Sequence, residues 1–507
     1  MHDTSRDPPR TLRDSLAYLG PGIILASSIV GSGELIAATT VGAEAGFLLL
    51  WLIMIGCAIK VAAQIEIGRT TLTWGRTPLV AFDAVPGPRV AGRGWIYWGW
   101  VVMTLLIVVQ QGGILMGVAQ TLAAGVPLSA AGQKWNRVHD GVAAARIAEA
   151  TARRGGDAAR ADEIHAQLVA LEAEGTTLTT PADETIWAII TAIVTSALLF
   201  VGRYGVIERV SIALVGTFVA VTLAALVLLQ FDPAWAISGA EFASGMVPSI
   251  PPAGGGRSPL MTALATFGII GVGAAELMFY PYWCLEKGYG RAVGPREDSE
   301  GWAARAKGWI RVLTLDAWAS MVVYTIVTVA FYLLGAATLG RLGLRPAGGE
   351  MVRSLGAMYG PVFGTWATSV FLVGAFAVLY STFFAAADGN SRIIGDGLVL
   401  AGLIPGDDSS RRIWTKRVAC CWPLVALVLA LLIREPVGMV LASGVAQAIM
   451  LAALGIAVLY FRYAAVDRRL TPSRAWDALL WLSSAGLIVV GLWTVWQKAM
   501  QLLAAAT

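Results

Sequence analysis

Residues 20–51 read GPGIILASSIVGSGELIAATTVGAEAGFLLLW and form the first long apolar run of the chain. One acid, Glu34, follows a glycine near the middle of this run, in the pentapeptide G-S-G-E-L. A later run, residues 267–283, reads FGIIGVGAAELMFYPYW and repeats the arrangement in G-A-A-E-L, with Glu276. A carboxylate at the centre of a bilayer is costly and is usually functional, and paired interruptions in two repeats point to a transporter site. The two pentapeptides therefore predict a binding site between two halves of a membrane transporter.

The composition places the whole chain in a membrane. Of its 507 residues, 57% are hydrophobic and only 14% are charged, whereas about 25% are charged in a typical soluble domain. The apolar residues are concentrated in stretches of about 20, which is long enough to cross a bilayer. Basic residues are not interleaved with aromatic ones, so nucleic acid is not expected as a partner. The partners that the sequence predicts are the lipid bilayer and a small substrate, and it identifies no protein partner.

The hydropathy pattern predicts an all-α polytopic protein with about eleven transmembrane helices. Lysine and arginine are concentrated in the N-terminal tail and in every second loop, and such residues favour the cytoplasmic side. We therefore expect a multi-pass protein of the inner membrane with its N-terminus in the cytoplasm and its C-terminus outside. The predicted spans are residues 17–40, 46–67, 95–123, 185–201, 207–231, 262–285, 312–339, 360–386, 418–433, 437–461 and 476–500.

One long segment between the third and fourth spans is polar and alanine-rich. Gly155 and Gly156 end one predicted helix and Asp157 caps the next, which predicts a helical hairpin outside the membrane. The hairpin is interpreted either as a partner-binding cap or, more simply, as a tolerated insertion. The predicted organisation is a cytoplasmic tail (1–16), helices 1–3 (17–125), the extracytoplasmic hairpin (126–184), helices 4–11 (185–500) and a C-terminal tail (501–507).

The first two apolar runs resemble the Nramp family of divalent-metal transporters. The resemblance rests on the G-P that opens the first run, its glycine-rich interruption, and Gly42, Ala43, Gly46, Phe47, Leu49, Leu50 and Trp51, which open the second. It continues in the G-I-I-G of residues 268–271 and at Gln447 of the tenth span. It implies a LeuT-type fold of two inverted five-helix repeats, with helices 1 and 6 unwound at mid-membrane. The backbone expected to be unwound is that of Gly31, Gly33, Gly273, Ala274 and Ala275.

The family's ligand motifs are replaced in this chain. Where the family has D-P-G-N in helix 1, the sequence has Gly31, Ser32, Gly33 and Glu34, and where it has M-P-H in helix 6, the best alignment gives Ala275, Glu276 and Leu277. The aspartate, the soft thioether and the histidine are therefore absent. The acids that the family uses for its proton path in helix 3 are also missing from the segment VVQQGGILMG, which offers Gln110 instead.

The residues that remain are ligands for a hard cation. We expect Glu34, Glu276, Ser32 and Gln447 to contact the substrate, with Met278, Tyr280 and Gln110 lining the cavity. Sites built only of oxygen suit Mg²⁺ or Ca²⁺, with Mn²⁺ also accommodated, and Mg²⁺ needs only one or two carboxylates because it keeps several waters. The sequence therefore favours Mg²⁺ as the substrate, without proton coupling of the usual Nramp kind. No enzymatic activity, resident cofactor or ATP-binding motif is expected.

Three alternatives remain open at this stage. The site is also compatible with a small organic solute such as an amino acid, whose anionic group would lie at the positive end of a half-helix. A non-transporting sensor is a further alternative, and the two glutamates are also interpreted as a hydrogen-bonded brace without substrate contact. A cavity lined by oxygen alone favours a cation, whereas a lysine or arginine paired with either glutamate argues against one. Lys60 in the second span is expected to extend towards the membrane surface or to pair locally.

Overall fold

Eleven apolar helical segments, named α1–α11, make up most of the protein in a computed structural model that describes residues 6–201, 204–251 and 258–506. Within these residues nine helices are long and apolar enough to cross a membrane. The other two segments are α1, which is divided into three pieces, and α5, whose apolar part is Ala213–Leu229. The first five segments are α1 (Pro21–Ile29, Val30–Ala38 and Thr39–Ala45), α2 (Leu50–Trp74), α3 (Trp95–Gly125), α4 (Asp183–Val201) and α5 (Tyr204–Leu229).

The second set begins with a helix that is broken in the middle. This helix consists of α6a (Pro259–Ile269) and α6b (Ala274–Glu286), and it is followed by α7 (Glu300–Leu334, extended by a π-helical turn over Gly335–Gly340). The remaining helices are α8 (Ala367–Leu400), α9 (Asp408–Ile433), α10 (Pro436–Tyr460, with a π-helical end over Phe461–Ala465) and α11 (Arg474–Ala506).

Short elements lie in the tail and the loops. Two β-strands, β1 (Arg89–Val90) and β2 (Arg93–Gly94), form a small antiparallel hairpin between α2 and α3. The helical hairpin between α3 and α4 consists of Ala130–Arg154 and Ala158–Thr177, and the Asp157 side chain caps the second helix. The other short helices are Leu12–Leu16, Pro78–Asp83, Gly239–Met246, Tyr289–Val293, Gly348–Glu350, Met351–Gly356, Ala357–Tyr359, Gly360–Phe363, Gly364–Trp366 and Arg468–Leu470.

Several helices extend beyond the spans that hydropathy predicted. Helices α7 and α9 each begin 10 or more residues before the predicted apolar span. Their first turns are polar and are capped by Ser299 and Asp407, so hydropathy does not detect them. The prediction for α8 is shifted in the opposite direction, since α8 starts at Ala367 and not at 360. The predicted C-terminal tail from 501 continues α11 as helix to Ala506.

Burial distinguishes central helices from peripheral ones. The most apolar stretch of α6 is 94% buried within the protein, whereas the corresponding stretches of α4 and α9 are only 28% buried. The broken helix therefore runs through the core of the bundle, and α4 and α9 present most of their surface to the surrounding lipid. α6a packs against α10, α6b against α8 and α2, and α1 against α7 and α8.

Close backbone contacts join α1 to α7. A methyl group on Gly42 would lie 2.3 Å from the carbonyl oxygen of Tyr332 and 2.9 Å from the backbone nitrogen of Ala336. Small residues permit such an approach of two membrane helices, which are held together mainly by van der Waals packing. The glycine at this position is therefore a packing requirement.

Substituting this glycine tests the contact. We expect Gly42→Ala to lower the melting temperature of the detergent-solubilised protein, because overpacking costs about 1–3 kcal/mol when the obstacle is backbone. Gly216→Ala is the matched control, since nothing lies within 4 Å of a methyl group at this helical position in α5. Equal melting temperatures for the two variants would contradict the proposed close packing.

Candidate functional site

The interruptions of α1 and α6 meet in the interior of the bundle. In α6 the helix stops at Ile269, and Ile270 and Gly273 have extended backbone conformations. Gly271 has a φ of +58°, and a methyl group there would lie 2.9 Å from the Tyr324 ring. Residues 270–273 therefore separate the two half-helices, and the glycine permits both the turn and the close approach.

The interruption in α1 takes a different form from the predicted unwinding. Val30–Ala38, which includes Gly31 and Gly33, is a buried π-helical segment, and π-helical turns are frequent at functional sites. The helix stays wound because its freed backbone is supported from neighbouring helices: the Gly31 amide donates to Thr382 Oγ1 at 3.0 Å. A methyl group on Gly33 would lie 3.0 Å from the Ile269 carbonyl oxygen, so α1 passes directly over the end of α6a.

The unwound stretch of α6 is also shorter than predicted. Gly273 lies outside the helix, but Ala274 and Ala275 already form the first turn of α6b. Their amide groups still lack partners within the helix, as all first-turn amides do. The start of α6b therefore faces the break with the positive end of its dipole, and the Ala275 amide finds its partner outside the helix, in Gln447 Oε1 at 3.2 Å.

Glu34 joins the π-helical segment of α1 to the break in α6 and to α7. Its Oε1 accepts hydrogen bonds from the amide of Gly271 at 3.1 Å and from the hydroxyl of Thr328 at 2.9 Å. The whole side chain is buried, and Oε2 accepts no hydrogen bond from the described residues. One carboxylate oxygen thus braces the two helices, and the other is available to a ligand.

Glu276 lies in the first turn of α6b, on the other side of the break. Its side chain is only partly buried, but Oε2 itself is buried and has no hydrogen-bond partner among the described residues. A methyl group on Gly273 would lie 2.3 Å from this oxygen and 2.9 Å from Gln447 Oε1, so both oxygens face the same glycine.

A chain of buried amides and hydroxyls connects four helices at this level. Gln110 of α3 donates from Nε2 to Ser32 Oγ at 3.0 Å and accepts from Gln447 Nε2 at 2.9 Å. Gln447 of α10 also donates to Ser443 Oγ at 3.2 Å, and its Oε1 accepts from the amide of Ala275 at 3.2 Å. The structure therefore brings Ser32, Gln110 and Gln447 together with the start of α6b, as a bonded network.

Lys60 of α2 is the main residue that sequence reasoning misjudged. It does not extend to the membrane surface: its side chain is 0% exposed. Its ammonium group donates to the carbonyl oxygens of Phe267 and of Ile270, the latter at 2.8 Å, and lies 4.8 Å from the centre of the Phe267 ring. A cation therefore occupies the negative end of α6a. The sequence did contain a signal for this residue, because a lysine within an apolar span usually marks a functional site.

Lys60 also bears on the charge of the site. It is attracted electrostatically by both Glu34 and Glu276, although the described residues include no ion-pair contact within 4 Å between them. Two of the carbonyl oxygens at the end of α6a, those of Phe267 and Ile270, are consequently already bound by the protein itself. Among the described residues, Glu34 Oε2 and Glu276 Oε2 are buried side-chain oxygens without a hydrogen-bond partner.

Two predicted cavity-lining residues have other contacts. Met278 is fully buried in the apolar core. Tyr280 is also buried, about two turns beyond the break, and its hydroxyl donates to Asp316 Oδ2 of α7 at 2.8 Å. The same carboxylate accepts from the amides of Gly20 and Gly22 at 3.2 and 2.6 Å. Tyr280 therefore belongs to a contact that joins the start of α1 and α6b to α7. On α6b its side chain is directed towards Asp316 and not towards Gln110.

The described residues contain no group of three or more His, Cys, Asp or Glu side chains arranged to hold a metal ion. Cys57 and Cys284 are buried, and all four cysteines are unpaired. Any ion held at the break would thus depend on two carboxylates supplemented by neutral oxygens or water, which is a donor set for hard cations.

Replacing Lys60 tests its contribution to the stability of the fold. We expect Lys60→Met to lower stability by about 3 kcal/mol or more, because it leaves two buried carbonyl groups unpaired and removes the cation nearest two carboxylates. The measurement is the melting temperature in detergent, with Lys134→Met on the exposed helical hairpin as the control. Adding Glu276→Gln to Lys60→Met should recover part of the loss. A single variant as stable as the parent would refute this assignment.

Comparison with solved structures supports the observed architecture. Two mutant forms of the manganese transporter of Eremococcus coleocola superpose with TM-scores of 0.53 at 16% sequence identity, covering 97% of this chain and 88% or 89% of theirs. A search of curated proteins finds no significant match.

A family model provides the decisive comparison. The model for natural resistance-associated macrophage protein-like proteins (Nramp) matches residues 164–497, which contain α4–α11 and therefore the broken helix and Gln447. The motif-like residues of α1 and α2 lie outside this match. The proteins of this family are transporters that require no cofactor. The chain belongs to the Nramp-like family and is a multi-pass membrane transporter with a LeuT-type fold, not an enzyme.

Proposed function

We propose that the protein moves a hard divalent cation across the membrane by alternating access, with Mg²⁺ as the favoured ion and Mn²⁺ or Ca²⁺ also accommodated. The observation that carries this proposal is the pair of buried oxygens, Glu34 Oε2 and Glu276 Oε2, which lie at the α6 break and lack hydrogen-bond partners among the described residues. Family membership supports metal transport in general. The similar transporter from Eremococcus coleocola is a manganese transporter.

The surrounding donors favour a hydrated ion. Mg²⁺ keeps most of its waters and is bound by one or two carboxylates, so it does not need a complete protein cage. The neutral polar atoms of Ser32, Gln110 and Gln447 are positioned to contact such waters. Of the predicted lining residues, the soft one, Met278, is packed in the apolar core. This donor set disfavours selection of a soft transition metal.

Lys60 provides a resident positive charge beside the site. With both glutamates ionised, the three buried groups carry a net charge of −1, and a divalent cation would reverse the sign. Lys60 would then limit affinity and promote release, which suits a carrier that has to let its substrate go. Because α3 carries glutamines where the family has acids, we propose that passage does not use the family's usual proton coupling.

The orientation belongs to the same proposal. The loops that are rich in lysine and arginine place the N-terminus in the cytoplasm and the C-terminus outside, in the inner membrane. The contact of Asp316 with Gly20, Gly22 and Tyr280 then lies on the cytoplasmic side of the site. In this arrangement the structure is closed on that side, and opening would require the contact to break.

A small organic solute is the second candidate, and Lys60 is the observation that favours it. An anionic group between the Lys60 ammonium and the positive end of the α6b dipole would be attracted by both. Under this alternative the main role of Glu34 is structural, since its two hydrogen bonds join α1 to the α6 break and to α7. Uptake measurements with both substrate classes separate the two candidates.

Uptake into proteoliposomes tests the cation proposal. We expect the parent to take up Mg²⁺, and Glu34→Gln and Glu276→Gln each to reduce uptake at least about tenfold, because loss of one charged ligand removes more than 1.4 kcal/mol of binding. The control is Glu174→Gln on the exposed helical hairpin. Uptake is measured with Mg²⁺, Mn²⁺ and Ca²⁺ in parallel, with and without a proton gradient.

The outcomes distinguish the proposals clearly. A parent protein that moves none of the three ions would refute the cation proposal, and calorimetry with amino acids would then test the solute alternative. Uptake that depends on a proton gradient would refute the proposed lack of coupling, although not the cation itself.

Cysteine labelling tests the cytoplasmic closure. Cys284 is 1% exposed on α6b, one turn beyond Tyr280. We expect Asp316→Ala, in a background with the other three cysteines replaced by alanine, to accelerate maleimide labelling of Cys284 severalfold, because α1 and α6b lose their common anchor on α7. Asp408→Ala at the exposed start of α9 is the control. Unchanged labelling would show that Asp316 does not hold this side closed.

A further inference from the structure

A cavity of about 570 Å³ lies between the ends of α4, α6b, α8 and α9, well away from the α6 break. The chain just after α6b lies close to the start of α1, because the Tyr289 hydroxyl donates to the Tyr18 carbonyl at 2.7 Å. The cavity therefore opens on the face of the protein that contains the start of α1. By the charge of the loops this face is the cytoplasmic one.

The cavity is lined by more cations than acids. Its acids are Glu286, Asp388 and Asp396, and its cations are Arg291, Arg392, Arg411, Arg412 and Lys416. Two of the cations are engaged by these acids. Arg392 binds Glu286 at 2.5 Å and also contacts Asp388, while Arg411 lies 3.1 Å from Asp396.

Three cations remain without an acid. Arg291, Arg412 and Lys416 are exposed and form no ion pair with any described residue. The lining therefore has an excess of two positive charges, and its unpaired members extend from two elements, the short helix after α6b and the first turns of α9. Arginine and lysine arranged in this way are the usual ligands of phosphate groups.

One wall of the same cavity is apolar and faces the bilayer. Leu199 and Val201 at the end of α4, together with Leu285 and Ala419, provide this wall. Val201 is 61% exposed, and the neighbouring Phe200 is 70% exposed, on a helix that presents most of its surface to lipid. A soluble anion would use only the basic side, whereas a lipid uses both, with its headgroup on the cations and its chain along α4.

We propose that this cavity binds the phosphate headgroup of an anionic phospholipid. Basic pockets between transmembrane helices on the cytoplasmic side are suited to such headgroups. The proposal does not depend on the identity of the transported substrate. It assigns a role to cations that neither the substrate site nor the internal ion pairs use.

The bound lipid would stabilise the conformation seen here. The cavity is formed where α6b is joined to α8: Tyr282 donates to Asp396 Oδ2 at 2.5 Å, and Glu286 binds Arg392. Arg411 of α9 lies 3.1 Å from the same Asp396. Movement of α6b away from α8 would separate the walls of the cavity and remove part of the lipid contacts. A ligand that binds one conformation better shifts the population towards it, so anionic lipid favours closure on this side.

The experiment measures the melting temperature of the full-length protein in detergent with added phosphatidylglycerol, compared with phosphatidylcholine. The test variant is Arg412→Gln/Lys416→Gln. The matched control is Lys307→Gln/Arg311→Gln, which removes the same charge from exposed positions at the start of α7, outside the cavity. Native mass spectrometry of the same samples counts retained phosphatidylglycerol molecules.

We expect phosphatidylglycerol to raise the melting temperature of the parent and of the control, and the test variant to lose about half or more of this increase together with one retained lipid. Equal responses of the two double variants would overturn the proposal, because they would indicate general attraction to the basic face. An equal stabilisation of the parent by glycerol 3-phosphate would also overturn it, because the ligand would then be a soluble phosphate. Melting in phosphatidylcholine alone confirms that both variants are folded.

Discussion

The backbone of the broken helix α6 imposes the constraint on which the centre of this protein depends. Within a bilayer every polar backbone group requires a partner in the protein, because no water competes for it in the hydrocarbon region. The break leaves carbonyl groups at the end of α6a and amide groups at the turn and at the start of α6b. Three helices each supply one polar side chain to these groups: Lys60 from α2, Glu34 from α1 and Gln447 from α10.

This arrangement links the architecture to transport. The side chains that satisfy the broken backbone meet Glu276 and Gln110 at the centre, so the proposed binding of a substrate and the packing of the helices would use the same group of residues. A substrate that engages Glu34 or Glu276 alters the charge balance around Lys60 and thereby the contacts of the break. On the side of α6b, the contact of Tyr280 with Asp316 and the ion pair of Glu286 with Arg392 of α8 hold the half-helix in place, so the proposed alternating access would have to exchange these contacts.

The sequence predicted the meeting point of the two interrupted helices better than the contacts made there. Two glutamates after glycines in apolar runs indicated the meeting point of two repeats, because an acid in the membrane needs a compensating function. The backbone at Gly31 and Gly33, which was predicted to be unwound, is instead π-helical, and the Gly31 amide donates to Thr382. Tyr280 was assigned to the cavity because it lies one turn from Glu276. In the structure its side chain points towards α7 instead, and its hydroxyl binds Asp316. Thr328, which binds Glu34, had no signal at all, because threonine is common in membrane helices.

The sequence by itself determined the class of the protein, its eleven apolar segments and the two positions where they are interrupted, since hydropathy, glycine and isolated acids are local properties of the chain. Only the tertiary structure decided which groups satisfy the break. Lys60 and Phe267 are 207 residues apart, and Glu34 and Gly271 are 237 residues apart. No local pattern specifies partners at such separations, because the choice depends on which helices pack against α6. The tertiary fold thus placed a lysine at the end of α6a, where the sequence had suggested free oxygen ligands.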